Sequence, residues 1–176
     1  MKNMKQENYV LTFKAEDRRG LLHLVTGVIE KKLVPIKSLS YAPTDMRDII
    51  LITVEVSASE SDVTQLALKL ENIVEVFTVE VKQYDSIVCL RAAYFKMAKT
   101  FLESPAAIAM SKYDTVIVQI YPEAILLAKY GTDHLIRKLY NALDGPHLLG
   151  FSQTALITES SLIDHDDIER IIRLAA

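Results

Sequence analysis

The chain has 176 residues, a net charge of −3 and a pI of about 5.8, with 50% hydrophobic and 24% charged residues. This is the balance of an ordinary folded chain, one domain or two small ones, able to bury a sizeable core. It excludes a long-range attraction to phosphate backbones, so nucleic acid is not an expected partner, and a single cysteine excludes an intrachain disulfide or a cysteine-rich metal site.

Residues 1–8 carry no apolar signal segment, and no run approaches the ~18 apolar residues of a membrane span, so a cytoplasmic protein with no membrane partner is expected. Tyr9 to Ala15 alternates as a strand, with Tyr9, Leu11 and Phe13 on one face and Val10, Thr12 and Lys14 on the other. A helix follows from about Leu21 to Lys32, its apolar stripe formed by Leu21, Leu24, Val25, Val28 and Ile29; His23 falls off that stripe, at the surface or an interface. Pro35 to Tyr41 reads as a second strand that ends at Ala42, because a residue before proline is pushed toward extended geometry. Thr44 to Asp48 form a polar turn, and Ile49 to Val56 is a β-branched, apolar strand. Ser59-Glu60-Ser61-Asp62 resembles a capping box ahead of Val63, Leu66, Ala67 and Leu70 at helical spacing. Glu75 to Lys82 closes the unit as a strand.

The order β-α-β-β-α-β over about 75 residues is ferredoxin-like: an antiparallel sheet with both helices on one face. The second half reads as a rougher copy. Ser86 to Tyr94 is expected as a strand, Phe95 to Glu103 as a short helix and Ala107 to Met110 with Thr115 to Tyr121 as a hairpin. Thr132 to Leu143 follows as a helix with Leu135, Ile136, Leu139 and Leu143 on its apolar face, and Leu148 to Ile157 as a last strand. The apolar segment 123–130 is read as an extra helical turn or an interface patch. A short terminal helix is expected from Asp164, with Asp164, Asp166 and Asp167 as an acidic first turn rather than a metal site. Cys89, in an apolar run, is expected to be a buried thiol. The chain is therefore α+β, with two tandem ferredoxin-like domains at 1–83 and 84–176.

Functional chemistry concentrates at Asp17-Arg18-Arg19-Gly20-Leu21-Leu22, between the first strand and first helix. A helix start offers unpaired N–H groups and the positive end of the dipole, which suit a carboxylate. Gly20 leaves that backbone uncovered, and Asp17 suits an ammonium group, so the six residues fit a free amino acid. A simple N-cap role for Asp17, with Arg18 and Arg19 solvated, accounts for the same residues. No phosphate loop, nucleophile elbow, HExxH or Cys/His ligand set appears, and His23, His134, His147 and His165 are scattered; no catalytic residue, metal or cofactor is expected. The basic and aromatic pattern of an RNA-binding ferredoxin-like domain is missing as well.

Leu11 to Val81 resembles an ACT domain, and Ile36-Lys37-Ser38-Leu39-Ser40-Tyr41-Ala42-Pro43-Thr44-Asp45 resembles the second-strand signature of the acetolactate (acetohydroxyacid) synthase small, regulatory subunit. The resemblance extends over residues 9 to about 158 and is strong in the first half, weak in the second. It implies a non-catalytic subunit that activates a thiamine-diphosphate-dependent acetolactate synthase catalytic subunit, and a homodimer through its ACT domains. It further implies a branched-chain amino-acid effector, typically valine, at the interface of two ACT domains. The implied ligand-binding residues are Asp17, Gly20 and Leu21 in the loop and Pro35 and Ile36 at the strand start. Asp17 and Pro35 stand where the family carries asparagines, and Pro35 offers neither an N–H nor a side-chain amide. Weaker valine binding, a different effector and loss of sensing all remain open on that basis. Segment 123–130 is longer than the family's usual connection, and Gln153 follows Ser152 where relatives often carry arginine. A stand-alone ACT sensor acting on another partner is the alternative.

Overall fold

The computed structural model describes residues 6–162, which form two compact units: residues 6–88 with 156–162, and residues 89–155. The expected terminal helix from Asp164 lies outside the described residues.

In the first unit, β1 (Glu7–Glu16), α1 (Leu21–Lys31), β2 (Ile36–Pro43), β3 (Ile49–Ala58), α2 (Glu60–Glu71) and β4 (Val76–Gln83) follow the β-α-β-β-α-β order. The sheet order is β2-β3-β1-β4, antiparallel throughout. Tyr9, Leu11 and Phe13 of β1 pack with Ile50, Ile52, Val54 and Val56 of β3 beneath the helices. Helix α1 contributes Leu21, Val25 and Ile29, while Leu24, placed on the stripe by its spacing, is 49% exposed. Helix α2 buries Val63, Leu66, Ala67 and Leu70, the four residues its periodicity marks. Ser59 caps it, its hydroxyl accepting from the Asp62 amide at 3.2 Å and donating to Asp62 Oδ2 at 2.7 Å. Element ends shift by one or two residues, and β2 runs through Pro43 rather than stopping at Ala42. Pro43 pairs with Ile50 on an edge strand, where a residue lacking an N–H is tolerated, and the ladder continues with the Thr44 amide donating to the Ile49 carbonyl at 3.1 Å.

The second unit contains β5 (Cys89–Ala98), a 3₁₀ stretch Lys99–Glu103, a turn Pro105–Ala107, and α3 (Ile108–Lys112). After these come β6 (Val116–Ile120), β7 (Ala124–Gly131), α4 (Asp133–Leu143) and β8 (Leu148–Gln153). Its sheet order is β6-β7-β5-β8, so the two units repeat one plan. Four expectations are corrected. Residues 95–98 continue a strand instead of starting a helix, because Ala93, Phe95 and Met97 are buried at a period of two and only Phe101 is reached by the 3₁₀ turn. Residues 107–110 are helical, not half of a hairpin. Segment 123–130 forms most of β7, a central strand paired with both β5 and β6. The last strand also breaks, β8 ending at Gln153 and a two-residue β9 (Ile157–Thr158) following. Helix α4 starts at a Thr132 cap and buries Ile136, Leu139 and Leu143 against Phe95 and Leu127. Cys89 is buried.

Arg91 of β5 is 6% exposed, and its Nε donates to Asp133 Oδ1 at 2.6 Å while Nη1 donates to the Thr154 carbonyl at 3.1 Å. Asp133 sits in the first turn of α4, where negative charge is favoured, so one carboxylate serves both the helix and the buried guanidinium. Asp133→Ala is expected to cost about 1–3 kcal/mol in urea unfolding, below the cost of breaking a fully buried pair because the carboxylate is partly solvated. Leu66→Ala is expected to cost about 2–5 kcal/mol by the same measurement, from lost burial and the cavity left in the first core.

Candidate functional site

The loop between β1 and α1 is held from both sides. The Glu16 amide donates to the Glu75 carbonyl at 2.8 Å and the Asp17 amide to the Asp48 carbonyl at 2.8 Å, tying the loop to the starts of β4 and β3. Arg18 pairs with Glu16 at 3.1 Å and with Glu75 at 3.8 Å, so its charge serves the loop more than any ligand. The Arg18–Glu16 pair is exposed and contributes little stability, but it helps fix the direction of the loop.

Gly20 is the N-cap of α1, with φ +92 and no side-chain cap. A left-handed residue here turns the chain into the helix, which glycine alone adopts without strain, and no heavy atom lies within 4 Å of where a Cβ would stand. Asp17 is therefore not the cap. The Leu21 amide is taken by the Arg18 carbonyl at 3.2 Å and the Leu24 amide by the Gly20 carbonyl at 3.1 Å. Between them the amides of Leu22 and His23 point out of the first turn, where helix geometry supplies no acceptor. The surface at Gly20 is thus open backbone at a positive dipole end.

Asp17 is exposed and accepts a 2.6 Å hydrogen bond from the Tyr41 hydroxyl on β2. Tyr41 is a site residue that sequence reasoning did not single out, although its motif contained it. The signal was available: β1 and β2 both pair with β3, so they run parallel and their C-terminal ends lie at the same end of the sheet. Register sets Phe13 and Tyr41 both opposite Ile52.

The same register separates the other expected site residues. Ile36 opposes Val56, which opposes Tyr9, whereas the loop follows Glu16, which opposes Ile49. Seven residues of strand lie between, on the order of 23 Å at about 3.3 Å per residue. Within one chain, Asp17 and Gly20 are therefore together, and Pro35 and Ile36 stand at the far end of β2. Pro35 is exposed, with its carbonyl accepting from the Ser57 amide at 3.3 Å, and Ile36 is 36% exposed. Leu21 is 1% exposed, its side chain in the core, so only its backbone faces the loop.

No protein-family model matches the chain. It is 21% identical over 153 residues to the acetolactate synthase small subunit of Mycolicibacterium smegmatis, covering 86% of this chain and 90% of that protein. It is 22% identical over 142 residues to the acetolactate synthase small subunit of Mycobacterium avium, covering 80% and 85%. Among solved structures, the acetolactate synthase small subunit from Thermotoga maritima superposes with a TM-score of 0.75 at 13% identity, over 86% of this chain and 95% of that one, a likeness of fold. The chain is thus similar over most of its length to acetolactate synthase small subunits, and its fold is a tandem ferredoxin-like arrangement. No helix among the described residues is long and apolar enough to cross a membrane.

The Tyr41–Asp17 bond has a measurable consequence. The hydrogen bond to the carboxylate, then burial, then repulsion by the Asp17 charge raise the Tyr41 phenol from 10.0 to about 12. Because the folded value lies above the unfolded one, the stabilisation is complete below pH 10 and is lost as pH rises through 12. In an ultraviolet titration of the eight tyrosines, one should ionise near pH 12, return toward 10 in Asp17→Asn, and vanish in Tyr41→Phe. An unchanged titration in both variants would refute the bond.

Proposed function

We propose that the chain is a regulatory, non-catalytic subunit that activates a thiamine-diphosphate-dependent acetolactate synthase catalytic subunit in the cytoplasm. Under this reading, residues 1–83 sense a branched-chain amino acid and residues 84–176 dock on the catalytic subunit. The observation that carries the proposal is the likeness to acetolactate synthase small subunits along 86% of this chain and 90% of one such relative. The geometry supports the same reading. One chain presents half of a ligand mouth at each end of β2, an edge strand whose outer ladder groups are open to a partner. Antiparallel pairing of two β2 strands about a twofold axis is isologous, and it sets the Gly20 loop of one protomer beside the partner's Ile36.

At such a seam the effector's carboxylate meets the amides of Leu22 and His23 beside Gly20, its ammonium meets Asp17, and its side chain meets the partner's Pro35 and Ile36. Effector binding controls activity only if it favours one arrangement of the dimer over another, and couplings of about 1–3 kcal/mol shift that equilibrium roughly 5- to 150-fold. The replacement of both family asparagines by Asp17 and Pro35 favours one second reading, a stand-alone ACT sensor for a different amino acid and a different partner.

The test is reconstitution of the catalytic subunit with the full chain, wild type or Asp17→Ala, across valine, leucine and isoleucine. Wild type is expected to raise activity and to lose that effect with an effector, and Asp17→Ala to activate equally with feedback weakened several-fold. A chain that neither binds nor activates the enzyme supports the stand-alone sensor instead. Light scattering at micromolar concentration is expected to give the mass of a dimer; a monomer there would remove the shared seam.

A further inference from the structure

The second unit carries an edge strand with a groove beside it. In the order β6-β7-β5-β8, β8 has β5 on one side and no strand on the other. The Thr154 amide donates to the Ala92 carbonyl at 2.9 Å, and antiparallel pairs alternate between bonded and unbonded. Ser152 and Gly150 therefore bond to β5, while Phe151 and Gln153 turn their N–H and C=O groups outward. Those outward groups have no hydrogen-bond partner among the described residues. Open edges of this kind recruit further strands unless something guards them. The strand in the equivalent place of the first unit, β4, carries Glu80 and Lys82, whereas β8, Leu-Leu-Gly-Phe-Ser-Gln, carries neither a charge nor a proline.

Along that edge runs a groove of about 400 Å³ between α4 and β8, lined by Asp133, Ile136, Arg137, Tyr140, Phe151 and Gln153. Its floor is apolar. The Phe151 ring centre lies 5.0 Å from that of Phe95 and 4.9 Å from that of Tyr140, and the side chain is still 39% exposed. Of the two charges on the α4 wall, Asp133 is held by Arg91 at 2.6 Å. Arg137 is exposed and makes no ion pair or hydrogen bond with another described residue. An open ladder, an apolar floor and one uncompensated cation thus lie together. A second copy of β8 would fill the ladder but bring no carboxylate to Arg137, since that strand has none.

We infer that β8 accepts an extended acidic segment of a protein partner as an added strand. Main-chain bonds from Phe151 and Gln153 hold the segment, and its alternate side chains enter the groove. One of these is apolar and sits over Phe151 and Tyr140; the next on the same face is an aspartate or glutamate that meets Arg137. This inference rests on the regulatory reading above for the partner, the catalytic subunit, and it narrows the contact within residues 84–176 to one strand edge and one helix face.

Binding of the full chain to immobilised catalytic subunit tests it, with wild type, Arg137→Glu and Gln153→Pro. The proline removes an outward N–H and sets a ring on the open edge without taking a bond from β5. Each variant is expected to weaken binding about tenfold or more, and Arg137→Glu, at a solvent-facing helix position, to melt as wild type does. Amide hydrogen exchange on the wild-type complex supplies a backbone readout. Phe151 and Gln153 are expected to slow on binding, as ladder bonds require and side-chain contact alone does not. Should Gln153→Pro fail to fold, that exchange and Arg137→Glu decide the matter. Wild-type affinity in Arg137→Glu, or unchanged exchange at Phe151 and Gln153, would overturn the inference and leave the regulatory reading standing. A wild-type chain that does not bind the catalytic subunit would overturn both.

Discussion

Strand β3 is the template on which the first unit depends. It pairs antiparallel with β1 along one edge and β2 along the other, so β1 and β2 must run parallel with their ends level. That single constraint brings Tyr41 to Asp17 and carries Ile36 away from Gly20. A one-residue slip of either ladder would turn the core side chains of β1 or β2 to the opposite face, so the hydrophobic alternation that drives folding also fixes the site geometry.

The loop after β1 shows how little freedom that template leaves. Backbone bonds to Glu75 and Asp48 hold it, and the left-handed Gly20 aims the first turn of α1 outward. A loop built this way is pre-organised by its backbone. The Tyr41 hydroxyl donates to the Asp17 carboxylate, which places a negative charge at the mouth of the loop. Pro35 removes a donor at the other end of β2.

The two faces of the first sheet differ in kind. One is a conventional apolar core beneath α1 and α2. The other buries Thr12, Lys14, Thr53 and Glu55, polar groups that are expensive to desolvate without partners. Lys14 and Glu55 are engaged in interactions, while the Thr12 hydroxyl is not satisfied among the described residues.

Where periodicity was clean, the sequence by itself determined the answer: α2 buries the four residues its spacing marks, β1 alternates as written, and the element order gave the ferredoxin-like plan. It failed where two periods compete. Strand β7, buried on both faces, reads as Ala-Ile-Leu-Leu-Ala, with no alternation and good helix formers, so only its pairing with β5 and β6 decides that it is a strand. Residues 95–98, expected to start a helix, continue β5 instead, because the core takes Ala93, Phe95 and Met97 at a period of two before the 3₁₀ turn at Lys99–Glu103. For the site, Asp17 and Gly20 were legible because capping and glycine conformation are local physics. Tyr41 was not, nor was the distance to Ile36, because both follow from which strand lies beside which. Hydrogen-bond register between segments far apart in the chain is a tertiary property, and it alone decided which residues could meet.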